Sequence, residues 1–249
     1  MYLPRLVVWN LVRLWKKWKN FGVGYWSWSP PYEYVFEITS EKVHEYIGKS
    51  KDEISRWVIV GGCLGHEIPQ IIRGYPNIVV DVFECSSRYL PDLEKRFTAI
   101  ERVNVIGKAV SSQVGVTIFH ETSIPGAGSV LELGVLHTQL TGFKPAEIFE
   151  VETTTIDSHY GALRGGIDVL QIDVQGAELL VLKGAQAILE KTSSIFLEVS
   201  HNPVLYKNSA TMSEVAEFLM ARGFVLQLLG NGPDGSGNAL FVKGKTLGV

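Results

Sequence analysis

Three acid–base groups stand at strand ends in the second half of the chain. Asp173 closes the run Ile167-Asp168-Val169-Leu170-Gln171-Ile172 and is followed by Val174-Gln175-Gly176-Ala177-Glu178. The apolar run reads as a buried strand and the segment after it as the start of a helix. Glu198 stands near the end of the next apolar run, Ile195–Val199, and His201 just past it. In an open α/β sheet the carboxyl ends of the strands face the ligand crevice, so these three side chains could share it. A carboxylate or an imidazole there can take a proton from a hydroxyl, or orient it. Asp173 is the best placed, with His201 as the rival base. Asp173 also has the position of an N-cap for the helix behind it. Glu178, in the first turn of that helix, is favoured by the helix dipole alone, so a structural and a functional part are both open to it.

A second group is suited to holding a ligand. Val60-Gly61-Gly62-Cys63-Leu64-Gly65 lies between a strand at Trp57–Val60 and a helix. Glycine lets the backbone approach a ligand without Cβ hindrance, and the helix behind favours an anionic group. A dinucleotide turn would want glycine at the third position, which is Cys63, and a Walker lysine is missing. The turn suits a nucleoside ligand with a small anion, such as the carboxylate of S-adenosylmethionine; a tight structural turn is the alternative. Glu84 ends a second strand, Ile78–Phe83, about 20 residues past the turn, where an acid accepts hydrogen bonds from ribose hydroxyls. Cys63 and Cys85 follow adjacent strands and read as packing residues, with a redox pair as the alternative. Ser129 ends the loop Gly126-Ala127-Gly128-Ser129, a position from which it could touch a substrate.

Short apolar runs alternating with helical periods must position these groups, the signature of βαβ units and a parallel sheet. A short helix is predicted at Glu41–Tyr46, further helices at Arg88–Ile100, Ala177–Leu189 and Val215–Arg222, and a strand at Val103–Ile106. Val114–Phe119 and Ile148–Thr155 alternate as an inserted hairpin. Phe224–Leu229 and Ala239–Val242 pair antiparallel at the end. The fold expected is one doubly wound α/β domain over residues 51–249, mostly parallel with a C-terminal antiparallel strand.

Charge is distributed unevenly. The net charge of −3 speaks against a dedicated nucleic-acid binder, and two cysteines speak for a reduced, intracellular compartment. Residues 1–20 carry Arg5, Arg13, Lys16, Lys17 and Lys19 and no acid, so the remainder of the chain is at −8. On a helix, Leu3, Val7, Val8, Leu11, Leu14, Trp15 and Trp18 fall opposite those cations, with Leu6, Trp9 and Val12 intruding among the cations, a pattern suited to an interfacial membrane helix. The arm at residues 1–50 therefore reads as an amphipathic helix and linker. It either meets the inner face of a membrane from a cytoplasmic location or packs on the domain. Charges interrupt it too often for a transmembrane span.

The blocks Val60–Gly65, Phe83-Glu84, Thr155-Ile156-Asp157, Ile172–Glu178 with Val181-Leu182-Lys183-Gly184-Ala185, and Leu197–Ser200 together resemble the FkbM family, from about residue 57 to 242. These are S-adenosylmethionine-dependent O-methyltransferases with a Rossmann-like sheet. The resemblance implies that Gly61, Gly65 and Glu84, with Val60 and Cys63 of the same turn, contact that cofactor, and that the acceptor is a hydroxyl, commonly on a sugar. Two positions depart from the pattern: Ile59 stands where an acid is usual and Cys63 where asparagine is usual. Asp173 is then the base or acceptor-orienting group, with His201 and Glu198 beside it. These three could gather Mg or Mn only loosely, and no metal is expected. A non-catalytic binding member of the fold and a nicotinamide oxidoreductase are the competing functions, the latter disfavoured by the glycine spacing.

Overall fold

Apolar runs and turn signals place ten strands in the computed structural model, which describes residues 42–134, 144–163, 165–200, 205–230 and 236–244. The amphipathic arm of residues 1–20, the aromatic linker of residues 22–37 and His201 lie outside the described residues. In chain order the elements are α1 (Val43–Ile47), β1 (Arg56–Val60), α2 (Ile68–Gly74), β2 (Val79–Phe83), α3 (Leu90–Phe97) and β3 (Val103–Ile106). Next come β4 (Ala109–Val110), β5 (Gly115–Thr122), β6 (Pro145–Thr154), α4 (Ile156–Tyr160) and β7 (Ile167–Ile172). The chain continues through α5 (Glu178–Lys183), β8 (Thr192–Ser200), α6 (Met212–Met220), β9 (Phe224–Leu229) and β10 (Ser236–Lys243).

The main sheet has seven strands in the order β3-β2-β1-β7-β8-β10-β9. Pairings from β3 through β8 are parallel, and β10 runs antiparallel to both β8 and β9. The expected doubly wound sheet with an antiparallel C-terminal strand is what forms. Both faces are covered, and the alternation within β1 shows how. Trp57 and Ile59 enter a core shared with Val43 of α1, Ile68 and Ile71 of α2, and Leu93 of α3. Val58 and Val60 enter the opposite core with Ile156 of α4, Val181 of α5 and Val215 of α6. A strand buried on both faces reads as a continuous apolar run, which is why its sequence was legible. The segment ahead of residue 51 is part of this core where it is described: Val43 is buried, and Lys49 forms an ion pair with Asp168.

The predicted hairpin is β5 and β6, antiparallel from Gly115↔Thr153 to Thr122↔Pro145, with β4 added parallel to β6 as a small second sheet. Three helix boundaries are corrected. The helix predicted over Ala177–Leu189 stops at Lys183 and is followed by a separate 3-10 turn, Ile188–Lys191. Gly184 passes so close to β4 that a Cβ would sit 2.1 Å from the Ser111 carbonyl oxygen. The Asp157 carboxylate then captures the amides of Ala187 and Ile188 at 2.9 and 2.8 Å, starting the new turn. The helix predicted over Arg88–Ile100 is likewise shorter, Leu90–Phe97, and the one predicted to run on to Arg222 ends at Met220, ahead of Gly223 at φ 83°.

Candidate active site

The switch point of the sheet lies at β1, which pairs with β2 on one side and β7 on the other. Ligand crevices in such sheets open at this point. A cavity opens here, walled by Val60, Gly61 and Cys63, by Phe83 and Glu84 beyond β2, and by Asp173. The hairpin sheet closes it from above through Val110, Phe119, Gly126 and Val130.

The glycine turn is built tightly. The amides of Gly61 and Gly62 both donate to the Phe83 carbonyl at 3.0 Å, and the Gly65 amide donates to Gly62 at 2.7 Å. Gly61 has φ 88°, and a Cβ there would lie 1.8 Å from the Asp173 carbonyl oxygen. Its glycine identity lets β1 and β7 cross closely, because the Asp173 amide donates to the Val60 carbonyl at 2.9 Å. Gly65 points away from the cavity: a Cβ would meet Ile68, Leu93 and Phe97 within 2.9 Å. The turn therefore supplies shape, and these amides are satisfied inside the protein rather than held for a ligand anion.

Glu84 is where the second strand was expected to place it, 7% exposed at the cavity wall. One carboxylate oxygen accepts from the Cys63 amide at 2.7 Å and the other from the Ser86 amide at 2.6 Å. Burial pushes its carboxyl above the ordinary range while those amides pull it back. Each oxygen retains a second lone pair, enough to accept from two vicinal ribose hydroxyls. Ser86 donates in turn to buried Glu121 at 2.5 Å. Burial and the Glu84 charge push the Cys63 thiol up to about 11 and raise Cys85 as well. Both thiols line the cavity, and thiols raised in this way are held as the weakly nucleophilic S–H form.

Asp173 stands at the end of β7, exposed to solvent and lining the cavity. Desolvation by the cavity walls raises its carboxyl above the usual range, opposed by the hydrogen bond from Gln175. It is not the N-cap of α5, since that position is Ala177 and no side chain caps it. Its Oδ1 accepts from Gln175 Nε2 at 2.7 Å instead. The same nitrogen donates to Glu198 Oε2 at 2.8 Å, so one amide bridges the two carboxylates. Two of the three sequence candidates are thus brought together, and His201 lies outside the described residues. Glu178 is 4% exposed, and its Oε1 accepts from the amides of Val174 and Gly176 at 3.3 and 3.0 Å. Burial first, opposed by those amides, pushes it up to about 7.

Ser129 is 2% exposed; its hydroxyl donates to the Val174 carbonyl at 3.2 Å and accepts from the Leu131 amide at 3.1 Å. It ties the hairpin loop to the end of β7 instead of facing the cavity. Ile59, at the position of the family's usual acid, is fully buried in the α1–α3 core and does not line the cavity. Sequence reasoning missed Gln175, Tyr206 and Glu67. Gln175 carried a signal in its place beside Gly176 two residues past Asp173. Tyr206 and Glu67 carried none, being distant from any strand end. Glu67 lies near Asp173 and Cys63, and burial raises its carboxyl. Among the described residues no cluster of three or more His, Cys, Asp or Glu side chains could hold a metal ion.

Several solved structures are similar to this chain. Fibrillarin of Aeropyrum pernix, in complex with natively bound S-adenosyl-L-methionine, aligns over 80% of this chain and 73% of its own at 12% identity and a TM-score of 0.45. A putative rRNA-methylase from Clostridium thermocellum aligns over 85% and 98% at 11% identity and 0.49. A TehB-like SAM-dependent methyltransferase from Corynebacterium glutamicum aligns over 96% and 100% at 8% identity and 0.42. No curated protein matches. The methyltransferase FkbM domain matches residues 90–226, a span that contains Asp173, Gln175, Glu178 and Glu198 and begins after Glu84. That span is more than half of the 249 residues, and the chain belongs to the FkbM family of S-adenosylmethionine-dependent methyltransferases.

Proposed function

We propose that the protein is an O-methyltransferase acting on a hydroxyl of a saccharide or glycoconjugate, with Asp173 as its base. The observation that carries this is the Asp173 carboxylate at the end of β7, open to the cavity at the β1/β7 switch point where an acceptor hydroxyl can reach it. S-adenosylmethionine supplies a methyl group on a sulfonium, and transfer is an in-line displacement by the acceptor oxygen. The residues present fit that cofactor. The Glu84 oxygens suit the ribose hydroxyls, and Phe83, Val110 and Phe119 offer an apolar wall to the base.

Asp173 accepts the acceptor's hydroxyl proton as the new carbon–oxygen bond forms. Glu198 beside it shares the charge. Much of the remaining acceleration would come from alignment of oxygen, carbon and sulfur. The basic, amphipathic pattern of residues 1–20 supports a lipid-linked acceptor or a membrane-surface location. A sugar acceptor is supported by the resemblance and by the need for an enzymatic base, because sugar hydroxyls are weak nucleophiles at neutral pH.

Transfer of label from methyl-labelled S-adenosylmethionine to candidate glycans tests this function. Asp173→Asn is expected to bind cofactor normally and lose about 10²–10⁴-fold in turnover, the span of general-base catalysis. Full turnover in that variant refutes the role of Asp173. Glu84→Ala is expected to weaken cofactor binding in calorimetry, and an unchanged affinity removes Glu84 from the site.

A further inference from the structure

We propose that Gln175 is a positioning residue for methyl transfer: its side-chain amide holds Asp173 and Glu198 together as one acid pair, and Tyr206 fixes the amide's orientation. The proposal rests on the assignment of Asp173 as the base. The amide nitrogen donates one N–H to each acid, at 2.7 and 2.8 Å, so a single donor brings the two carboxyls side by side. Two acids held this close titrate as a coupled pair, because ionising one opposes ionising the other.

A glutamine amide can turn either way, and here Tyr206 decides. Its hydroxyl, 4% exposed, donates toward Gln175 Oε1 at 3.0 Å and shares its hydrogen with the Ala127 carbonyl at 2.9 Å. With the oxygen engaged, the nitrogen must face the acids. The backbone is committed to this arrangement at some cost. Gln175 has φ 55° and Gly176 φ 93°, two successive left-handed residues. A left-handed glutamine is strained and persists only where its surroundings hold it. Glu178 supplies that hold by accepting the amides on either side, from Val174 and Gly176. Gly176 supplies the room, since a Cβ there would lie 2.9 Å from Ser209 and 3.3 Å from Tyr206. Strain retained by a buried acid, a glycine and a buried phenol, all for one amide, points to a task for that amide.

Carboxyl ¹³C NMR titration of the full chain, labelled in its Asp and Glu side chains, tests this without an acceptor. Asp173→Asn and Glu198→Gln assign the pair's signals. Gln175→Leu is expected to raise the higher of the pair's two titration steps about tenfold in proton affinity, because two donors to the charged form are lost. Tyr206→Phe should move the same step in the same direction by less, since the amide becomes free to turn. A Gln175→Leu titration that overlays the wild type overturns the proposal. If that variant does not fold, an overlay in Tyr206→Phe does the same. Cofactor calorimetry and label transfer are read separately, so loss of the methyltransferase assignment is distinguishable from loss of this one.

Discussion

Cys63 has φ 44°, a left-handed backbone that asparagine tolerates far better than cysteine. The family's usual residue at this position thus has a conformational explanation, independent of any contact with a ligand. At the same scale, Glu178 is a buried carboxylate whose task is local: it accepts two loop amides. Its folded-state value of about 7 lies above the ordinary 4.5, so between those two pH values the folded protein holds a proton that the unfolded chain releases. Stability must therefore fall as pH rises across that window, with the full cost in force above about pH 7. Glu178→Gln keeps an acceptor oxygen and removes the charge. Urea denaturation is expected to show the variant gaining on wild type by about 1–3 kcal/mol between pH 4.5 and pH 8. A gain that does not depend on pH contradicts the burial of this charge.

Elements meet through small pieces of the family's own signature. Thr155 caps α4, accepting from the Ser158 amide at 3.0 Å, while Asp157 reaches back to start the 3-10 turn after Gly184. Thr155-Ile156-Asp157 and Lys183-Gly184-Ala185 are far apart in the chain, yet together they form one joint, with the Asp157 amide donating to the Gly184 carbonyl at 2.9 Å. Asp157→Ala should cost about 1–2 kcal/mol, the range for losing a carboxylate cap, and leave cofactor affinity unchanged. Thermal unfolding with parallel calorimetry checks both halves; a variant that loses cofactor binding at full stability assigns Asp157 to the site instead. The shortened helix before this joint was not legible, because Ala177–Leu189 has a continuous helical pattern. What ends it is contact with Ser111, some seventy residues earlier in the chain.

Over the whole molecule, the described residues contain no helix long and apolar enough to cross a membrane. The five cations of residues 1–20 set against an acidic remainder leave a surface role for the arm as our proposal. Deleting residues 1–20 is expected to abolish flotation with anionic liposomes, and flotation that persists removes the arm from membrane binding. The sheet and the places of Asp173 and Glu84 were readable in advance, because strands buried on both faces write themselves as apolar runs and their ends are marked by the first polar residue; the order of the strands and the place of Glu198 inside β8 were not. Tertiary structure alone decided what those ends do to one another. It gave the glycines of the Gly61–Gly65 turn a packing reason as well, with Gly61 at the cavity wall against Asp173 and Gly65 turned toward α2 and α3. It took Ser129 and Glu178 into the scaffold, placed Ile59 in the core, and brought Gln175 and Tyr206 to the acid pair. Contacts of this kind depend on side-chain direction across strands and loops distant in sequence. Periodicity specifies which face a residue joins, but not which atom it meets there.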